Sequence, residues 1–448
     1  MTLDVHLIYD DIKFTNYYNS ADRILGLSDS CLTVKFLSFT EQFKNGQQFT
    51  LITTEKYLET LPDGPAFWMI DLRATTFLNY RFNFIEHINT ELVDLIKTGK
   101  VQILFNNSSE QFDIFQFWDF RGNHDPKDHI NFYKHTAAGI ISFTLKKHDI
   151  PTKFVHYADG NLDKEPLQVK LHTEFGIEQD YNFYFFDTWL YMSVNQTKIY
   201  NPAYEFSTNF LYSCLAAGVP KYHRSLLVYR LWQENLTDRG KVSLHEPWIN
   251  YPVKHYSVVV HKPSINYDPE FLKVMPLVLD GKENMHYKNW QDGTAGTKTS
   301  LSPNEKQLET EKNLVDGCLL YISTETLLDE YNPNNVYITE KTWKAIIHKK
   351  PFIILGEVLS LKKLHQLGFK TFNQWWDEGY DEYPTIEQRV EHIVGIIQRF
   401  AQMSESELER HFTGIHNVVE HNHTVLKNMD FADVCLEKLS ENYYKMRL

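Results

Sequence analysis

The chain has 448 residues, of which 42% are apolar, 23% charged and 15% aromatic, and it carries a formal net charge of −13. Those shares exclude a disordered polymer. The length passes the ~250–300 residues at which a single core stops growing, so two domains are predicted. The acidic balance argues against a broad nucleic-acid surface, because a phosphate backbone is repelled at long range. No run reaches ~18 consecutive apolar residues, so no membrane span is expected. The opening MTLDVHLIYDDIKF has no basic region followed by an apolar run and does not read as a signal peptide. Cys31, Cys214, Cys318 and Cys435 lie far apart without CxxC spacing. Reduced thiols and a cytoplasmic location are the expectation, not a zinc site or a disulfide framework.

In the first half, short apolar runs at 5–9, 67–70, 101–105 and 154–157 alternate with helix-length segments such as 84–96. That alternation predicts βαβ units and a parallel sheet. Ligands of such sheets sit beyond the carboxyl ends of the strands, which directs attention to the loops at 71–75, 106–112 and 158–163. A second set of units begins near residue 205. It has an apolar run at 210–215, a Gly/Pro loop at 217–222, helical spacing from His223 to Asn235 and a strand at 319–323. Residues 280–312 are polar, carry Gly281, Gly293, Gly296 and Pro303, and read as a long surface excursion. Residues 336–338 lead into a helix over 339–348. PFIILG at 351–356 then reads as a buried parallel strand, followed by a short helix over 360–367 closed by Gly368. From Ile386 the pattern is helical almost to Leu448.

The segment NVYITEKTWKAIIHKKPFIILG carries the chemistry. On a helical wheel Trp343, Ile346 and Ile347 share one face, and Lys341, Lys344 and His348 fall opposite. Thr339 stands where an N-cap belongs. Glu340 lies in the first turn, four residues before Lys344. A helix start offers N–H groups and a partial positive charge that suit a diphosphate. Lysines add point charges, and a carboxylate in the same turn can accept hydrogen bonds from ribose hydroxyls. The plainer alternative is an amphipathic surface helix whose Glu340 pairs with Lys344, worth ~0.3–0.5 kcal/mol.

The stretch resembles the donor-domain signature of GT-B glycosyltransferases, above all the fucosyltransferase-like group. It is most similar to glycosyltransferase-like proteins encoded by tailed bacteriophages. The shared features are ITEKT at 338–342, PFIILG at 351–356, GFKTF at 368–372 and the acidic stretch at 376–383. YISTET at 321–326 resembles the strand and S-E-T loop that precede TEK in that group. Residues 222–243 resemble its first donor-domain unit, with a His-Arg pair opening a helix. One departure stands out. Such proteins usually show Leu-Asn followed by basic residues before the His-Arg pair, and here the chain reads LAAGVP over 215–220.

The resemblance implies an α/β, GT-B-like fold of two Rossmann-like domains facing across a cleft. Residues 1–200 would form the acceptor-side domain, 205–400 the donor domain and 401–448 the C-terminal helices. It also implies roles. Arg224 would grip the diphosphate through its bidentate fork, with His223 helping or capping the loop. Glu340 would take the ribose hydroxyls, Lys341 would meet phosphate, and Thr339 would cap. Glu325 and Thr326 would lie beside the nucleoside, and Lys344 would be a solvated partner of Glu340. Sugar transfer from a UDP- or GDP-sugar would leave growing charge on the departing diphosphate, held by cations and helix N–H groups. No DxD-type motif stands at a convincing strand end. DGNLD at 159–163 lacks the length and bidentate Glu of a calcium loop. Metal independence and no further cofactor are therefore expected.

An inverting enzyme would need a general base from the first half, and Asp71 and Glu110 follow suitable strands. The acceptor would be a hydroxyl of a glycan or protein. Two alternatives stay open. One is transfer to hydroxymethylated pyrimidines in DNA, with Arg121, Lys127, Lys134, Lys146, Lys147 and Lys153 near Phe117, Trp118 and Phe120 and with the target base flipped. The other is an inactive sugar-binding or virion interaction module.

Overall fold

The computed structural model describes residues 4–9, 12–15, 22–25, 48–71, 85, 88–107, 137–159, 182–216, 221–244, 247, 265–277, 279, 308, 312–325 and 336–447. The chain is mixed α/β and divides into two compact units. One comprises Met1–Thr188 with Asp430–Leu448, the other Trp189–Lys254 with Val259–Met429.

The first unit is built on a six-stranded parallel sheet in the order β4-β1-β5-β6-β7-β8. The strands are β1 (Asp4–Tyr9), β4 (Gln48–Thr53), β5 (Ala66–Asp71), β6 (Gln102–Asn107), β7 (Val155–Asp159) and β8 (Asn182–Phe185), and β2 (Ile12–Thr15) pairs antiparallel with β3 (Asp22–Leu25). Its helices are α1 (Thr54–Thr60), α2 (Thr90–Lys97) and α3 (Ala137–Lys147). Alternation along β5 places Ala66, Trp68 and Ile70 in one core with Ile103, Phe105 and Tyr157. Phe67 and Met69 join a second core with Leu104 and Ala158. Both faces are covered, which is why these strands read as continuous apolar runs rather than alternating ones.

The expected segment 401–448 is shared between the two units. The second core of the first unit is completed by Leu439 and Tyr443 of α12 (Phe431–Arg447). A buried chain of hydrogen bonds fixes that helix. Asn442 Nδ2 donates to the Tyr184 hydroxyl (2.8 Å), which donates to His156 Nδ1 (2.9 Å). His156 Nε2 donates to Gln102 Oε1 (2.5 Å), and Gln102 Nε2 donates to the Tyr443 carbonyl (3.0 Å). Burial holds the His156 imidazole down at a pKa of about 3. It is therefore neutral, and one ring nitrogen donates while the other accepts, as the chain requires.

Lys146 and Lys147 end α3, where they complement the helix dipole, and Lys153 stands 5.1 Å from the centre of the Phe154 ring. The remaining cations and rings of the DNA alternative, Arg121, Lys127, Lys134, Phe117, Trp118 and Phe120, lie outside the described residues. Cys214 and Cys318 are buried free thiols. No helix among the described residues is long and apolar enough to cross a membrane.

The chain leads through α4 (Thr188–Ile199) into a four-stranded parallel sheet in the order β10-β9-β11-β12. Its strands are β9 (Phe210–Leu215), β10 (Gly240–Ser243), β11 (Cys318–Thr324) and β12 (Phe352–Leu355). The helices of this part are α5 (Tyr222–Gln233), α6 (Pro269–Lys273), α7 (Glu340–Ile347), α8 (Ser360–Gln366), α9 (Ile386–Ala401), α10 (Glu405–His411) and α11 (Ile415–Asn428). Every residue of β11 and β12 is buried. α9 locks onto α5 through the fork of Arg230 on Glu391 (2.5 and 2.7 Å) and through Tyr222 on Glu387 (2.7 Å). Trp376 stacks on Phe372 (5.1 Å) beneath Phe400 and Phe412. Of residues 280–312, read as a surface excursion, only Leu308 and Lys312 are described; Leu308 is buried, and the rest lie outside the described residues.

The neutrality of His156 sets a pH dependence. Its folded pKa lies below the ordinary value near 6.5, so as pH falls the unfolded chain takes up the proton first. The contribution is complete above pH ~6.5 and is lost as pH falls toward 3, at up to ~1.4 kcal/mol per pH unit. In denaturant titrations the stability gap between wild type and His156→Leu should widen from pH 4 to pH 7. A gap that stays constant contradicts this assignment.

Candidate functional site

The order of the second sheet defines where a ligand would sit. From β9 the chain passes through α5 to β10 on one side, and β11 then returns on the other side of β9 before α7 and β12 continue outward. The direction of winding reverses between β9 and β11. In open parallel sheets the crevice beyond the carboxyl ends of such a strand pair is the binding position. Here it is bounded by Ala216 after β9, Glu325 after β11, and the starts of α5 and α7. The LAAGVP departure falls at this point, with Ala216 buried and 217–220 outside the described residues.

Glu325 organises the place. Its backbone N–H donates to the Leu355 carbonyl of β12 (3.0 Å). Its own carbonyl accepts from His223 Nε2 (2.8 Å) and Arg224 Nη2 (3.2 Å), and Arg224 Nη2 also reaches the Thr324 carbonyl (3.2 Å). Its carboxylate turns into the start of α7. Oε2 accepts from the Thr339 backbone N–H (3.2 Å) and from the Thr339 hydroxyl, and Oε1 accepts from the Thr342 hydroxyl (2.6 Å). Because Thr342 spends its proton there, Ser323 Oγ, 2.8 Å away, donates to Thr342. Thr339 is the N-cap, its oxygen accepting from Lys341 N (3.5 Å) and Lys341 Nζ (3.4 Å). Glu325 is 0% exposed, so the carboxylate expected beside a nucleoside instead closes a helix start. Thr326 lies outside the described residues.

The ionisable groups divide by exposure. His223 and Arg224 are buried. Burial, then the neighbouring Arg224 charge, holds the His223 imidazole well below its usual range, so it is neutral and its Nε2–H donates. Burial also lowers the Arg224 pKa, opposed by Glu340 and Glu325; a guanidinium nonetheless stays charged. Arg224 Nε is buried with no hydrogen-bond partner among the described residues. Burial raises the Glu325 carboxyl, and Lys341, Thr339 and Thr342 act against the rise. For Glu340, burial pulls upward, but Lys341 by charge and hydrogen bond, with Lys344, prevails and holds it below the ordinary carboxylate range.

Glu340 keeps 39% of its side chain exposed and Lys341 keeps 19%. Lys344 is half-buried. Glu340 forms an ion pair with the adjacent Lys341, and the charge of Lys344, one turn on, acts on it as well. A second correction concerns His348. Expected on the face opposite Trp343, it is buried as the C-cap, its ring edge-on to Tyr200 with the ring centres 5.5 Å apart.

Asp71 is the last residue of β5 and pairs in register with Asn106, while Glu110 lies outside the described residues. Among the described residues no group of three or more His, Cys, Asp or Glu is arranged to hold a metal ion. The sequence reading missed Thr342 and Ser323, whose hydroxyls complete the Glu325 network. The available signal was a second Thr three residues after the N-cap, on the buried side of an amphipathic helix.

No protein-family model matches the chain. No curated protein matches it. A solved structure described as "Crystal structure of GtfA/B complex" contains a chain similar over 80% of this one and 55% of its own length, at 10% identity and a TM-score of 0.36. This chain thus spans just over half the length of that protein.

The crowding around Glu325 can be tested at Gly356. A Cβ there would meet Ile354 Cγ2 and Ser360 Oγ at 2.9 Å and Glu325 Cγ at 3.2 Å, while the Gly356 carbonyl is held by Arg389. Gly356→Ala should lower stability by ~1–3 kcal/mol in urea denaturation. A neutral or stabilising outcome would show that this packing is looser than the distances imply.

Proposed function

We propose that the second unit binds a nucleotide sugar in the crevice beyond β9 and β11, and that the chain is a glycosyltransferase. The observation that supports this most is the meeting of two helix starts with Arg224, Lys341 and a half-buried Glu340 at the point where the sheet reverses its winding. The two helix starts are not equivalent. At α7 the Thr339 N–H is taken by Glu325 and the Lys341 N–H by the Thr339 hydroxyl. α5 begins without a side-chain cap and with no acid in its first turn. Its end of the helix dipole is therefore the one left to attract an anion.

In this reading the diphosphate meets the first turn of α5, with Arg224 supplying a fixed charge, Lys341 a movable one and Lys344 a more distant one. His223 and Thr339 hold those groups in place. Lys341 Nζ donates to Glu340 Oε1. Phosphate would draw the ammonium away and free the Glu340 carboxylate to accept from ribose hydroxyls. Thr326, next along the chain from Glu325, would border the nucleoside. As the sugar leaves, charge grows on the diphosphate, and preorganised cations stabilise that charge more than the ground state, which is the requirement for acceleration. These cations would do so without a metal. The donor would be a UDP- or GDP-sugar and the acceptor a hydroxyl of a glycan or protein. An inverting transfer would also need a general base, for which Asp71 and Glu110 are the proposed candidates.

A thermal-shift screen over nucleoside diphosphates and their sugars tests the reading. Ligand at ~100 times its dissociation constant should stabilise the chain by ~2.7 kcal/mol. One base should be preferred, and Glu340→Ala should lose most of the shift. If no nucleotide or nucleotide sugar shifts the wild type, the donor-site reading fails.

A further inference from the structure

Glu325 uses every polar group it has, and each goes to a different element. The N–H is bound to β12, the carbonyl to α5, and the carboxylate to α7. Helix caps normally act on one helix. Here a single residue at the end of β11 joins two helix starts, and both starts carry the cations and acid of the candidate site. We propose that Glu325 is a positioning residue: it fixes the start of α5 and the start of α7 in one relative placement, so that Arg224 and Lys341 are already aligned for a shared anion. For its consequence on ligand affinity the inference rests on the nucleotide reading above; for the tether itself it does not.

The alternative is an ordinary cap, in which the carboxylate serves α7 alone and the contacts on its carbonyl are indifferent to it. The two differ in what happens at α5, which the carboxylate does not touch. Three donors converge on the carboxylate, namely the Thr339 N–H, the Thr339 hydroxyl and the Thr342 hydroxyl. A glutamine of the same shape can still serve them. Its oxygen would accept both Thr339 donors, and its amide would donate to Thr342, whose proton would turn to Ser323 across the existing 2.8 Å contact. Glu325→Gln therefore removes the charge and keeps the position. Glu325→Ala removes both and leaves a buried Thr339 N–H without a partner.

Hydrogen exchange on the full chain, read in segments 221–228 and 339–346, separates the possibilities. Glu325→Ala should speed exchange in both segments, and Glu325→Gln should match wild type in both. For whichever of UDP or GDP binds the wild type, Glu325→Ala should weaken affinity by at least about tenfold, the scale expected when positioned groups drift. Glu325→Gln should restore wild-type affinity. Faster exchange confined to 339–346 with unchanged affinity would overturn the proposal in favour of an ordinary cap. Equal damage from Gln and Ala would overturn it in favour of charge over position. If Glu325→Ala gives no folded protein, Thr342→Val removes one arm of the tether and is read by the same two segments: acceleration in both supports the tether, and in 339–346 alone refutes it. Should the wild type bind neither nucleotide, the donor-site reading falls, and the exchange measurements still decide the tether.

Discussion

The second unit depends on a carboxylate placed where a parallel sheet has its strongest claim on an anion. A helix start beside the end of β11 presents unpaired N–H groups and a partial positive charge. In this chain Glu325 supplies the negative group from within. It is buried, so leaving it unpaired would be costly. Thr339, Thr342 and, behind them, Ser323 provide the hydrogen bonds that make its burial tolerable. Burial still pushes its pKa upward, a sign that compensation is incomplete. The same residue, through its carbonyl, takes the imidazole and guanidinium of α5. Sheet, α5 and α7 are thereby joined at one point.

That arrangement reshapes the chemistry available at the crevice. A helix start already filled by an internal carboxylate is a poor place for a phosphate. A neighbouring start with no acid in its first turn and a buried arginine is a better one. Lys341 and Glu340 are paired with one another, and in the proposed reading a ligand with both an anionic group and vicinal hydroxyls separates them. A nucleoside diphosphate has both. The donor-binding reading therefore turns on local electrostatics at the carboxyl ends of β9 and β11.

Much of the scaffold was legible in the sequence. The buried strands at 66–71, 318–324 and 352–355 could be read because parallel strands covered on both faces are apolar throughout. The core face of α7 could be read because Trp343, Ile346 and Ile347 follow the helical period. Two things could not be read. The Tyr443–Gln102–His156–Tyr184 chain joins residues 341, 54 and 28 positions apart, and no local pattern marks such partners. α12 belongs to the first unit although it follows α11 almost without a break, so the helical pattern alone gave no boundary. For Glu325 the sequence supplied an acid at a strand end, which suits a ligand as well as a cap. Only the inward turn of Thr339 and Thr342, 14 and 17 residues onward, decides where its oxygens go.

The most direct measurement is a crystal structure of the chain soaked with UDP or GDP. The account predicts a diphosphate within hydrogen-bond distance of Arg224 or Lys341 at the start of α5, with Lys341 withdrawn from Glu340 and Glu325 still bound to Thr339 and Thr342. A phosphate seated on the start of α7 with Glu325 displaced, or a nucleotide bound away from β9 and β11 altogether, would contradict it.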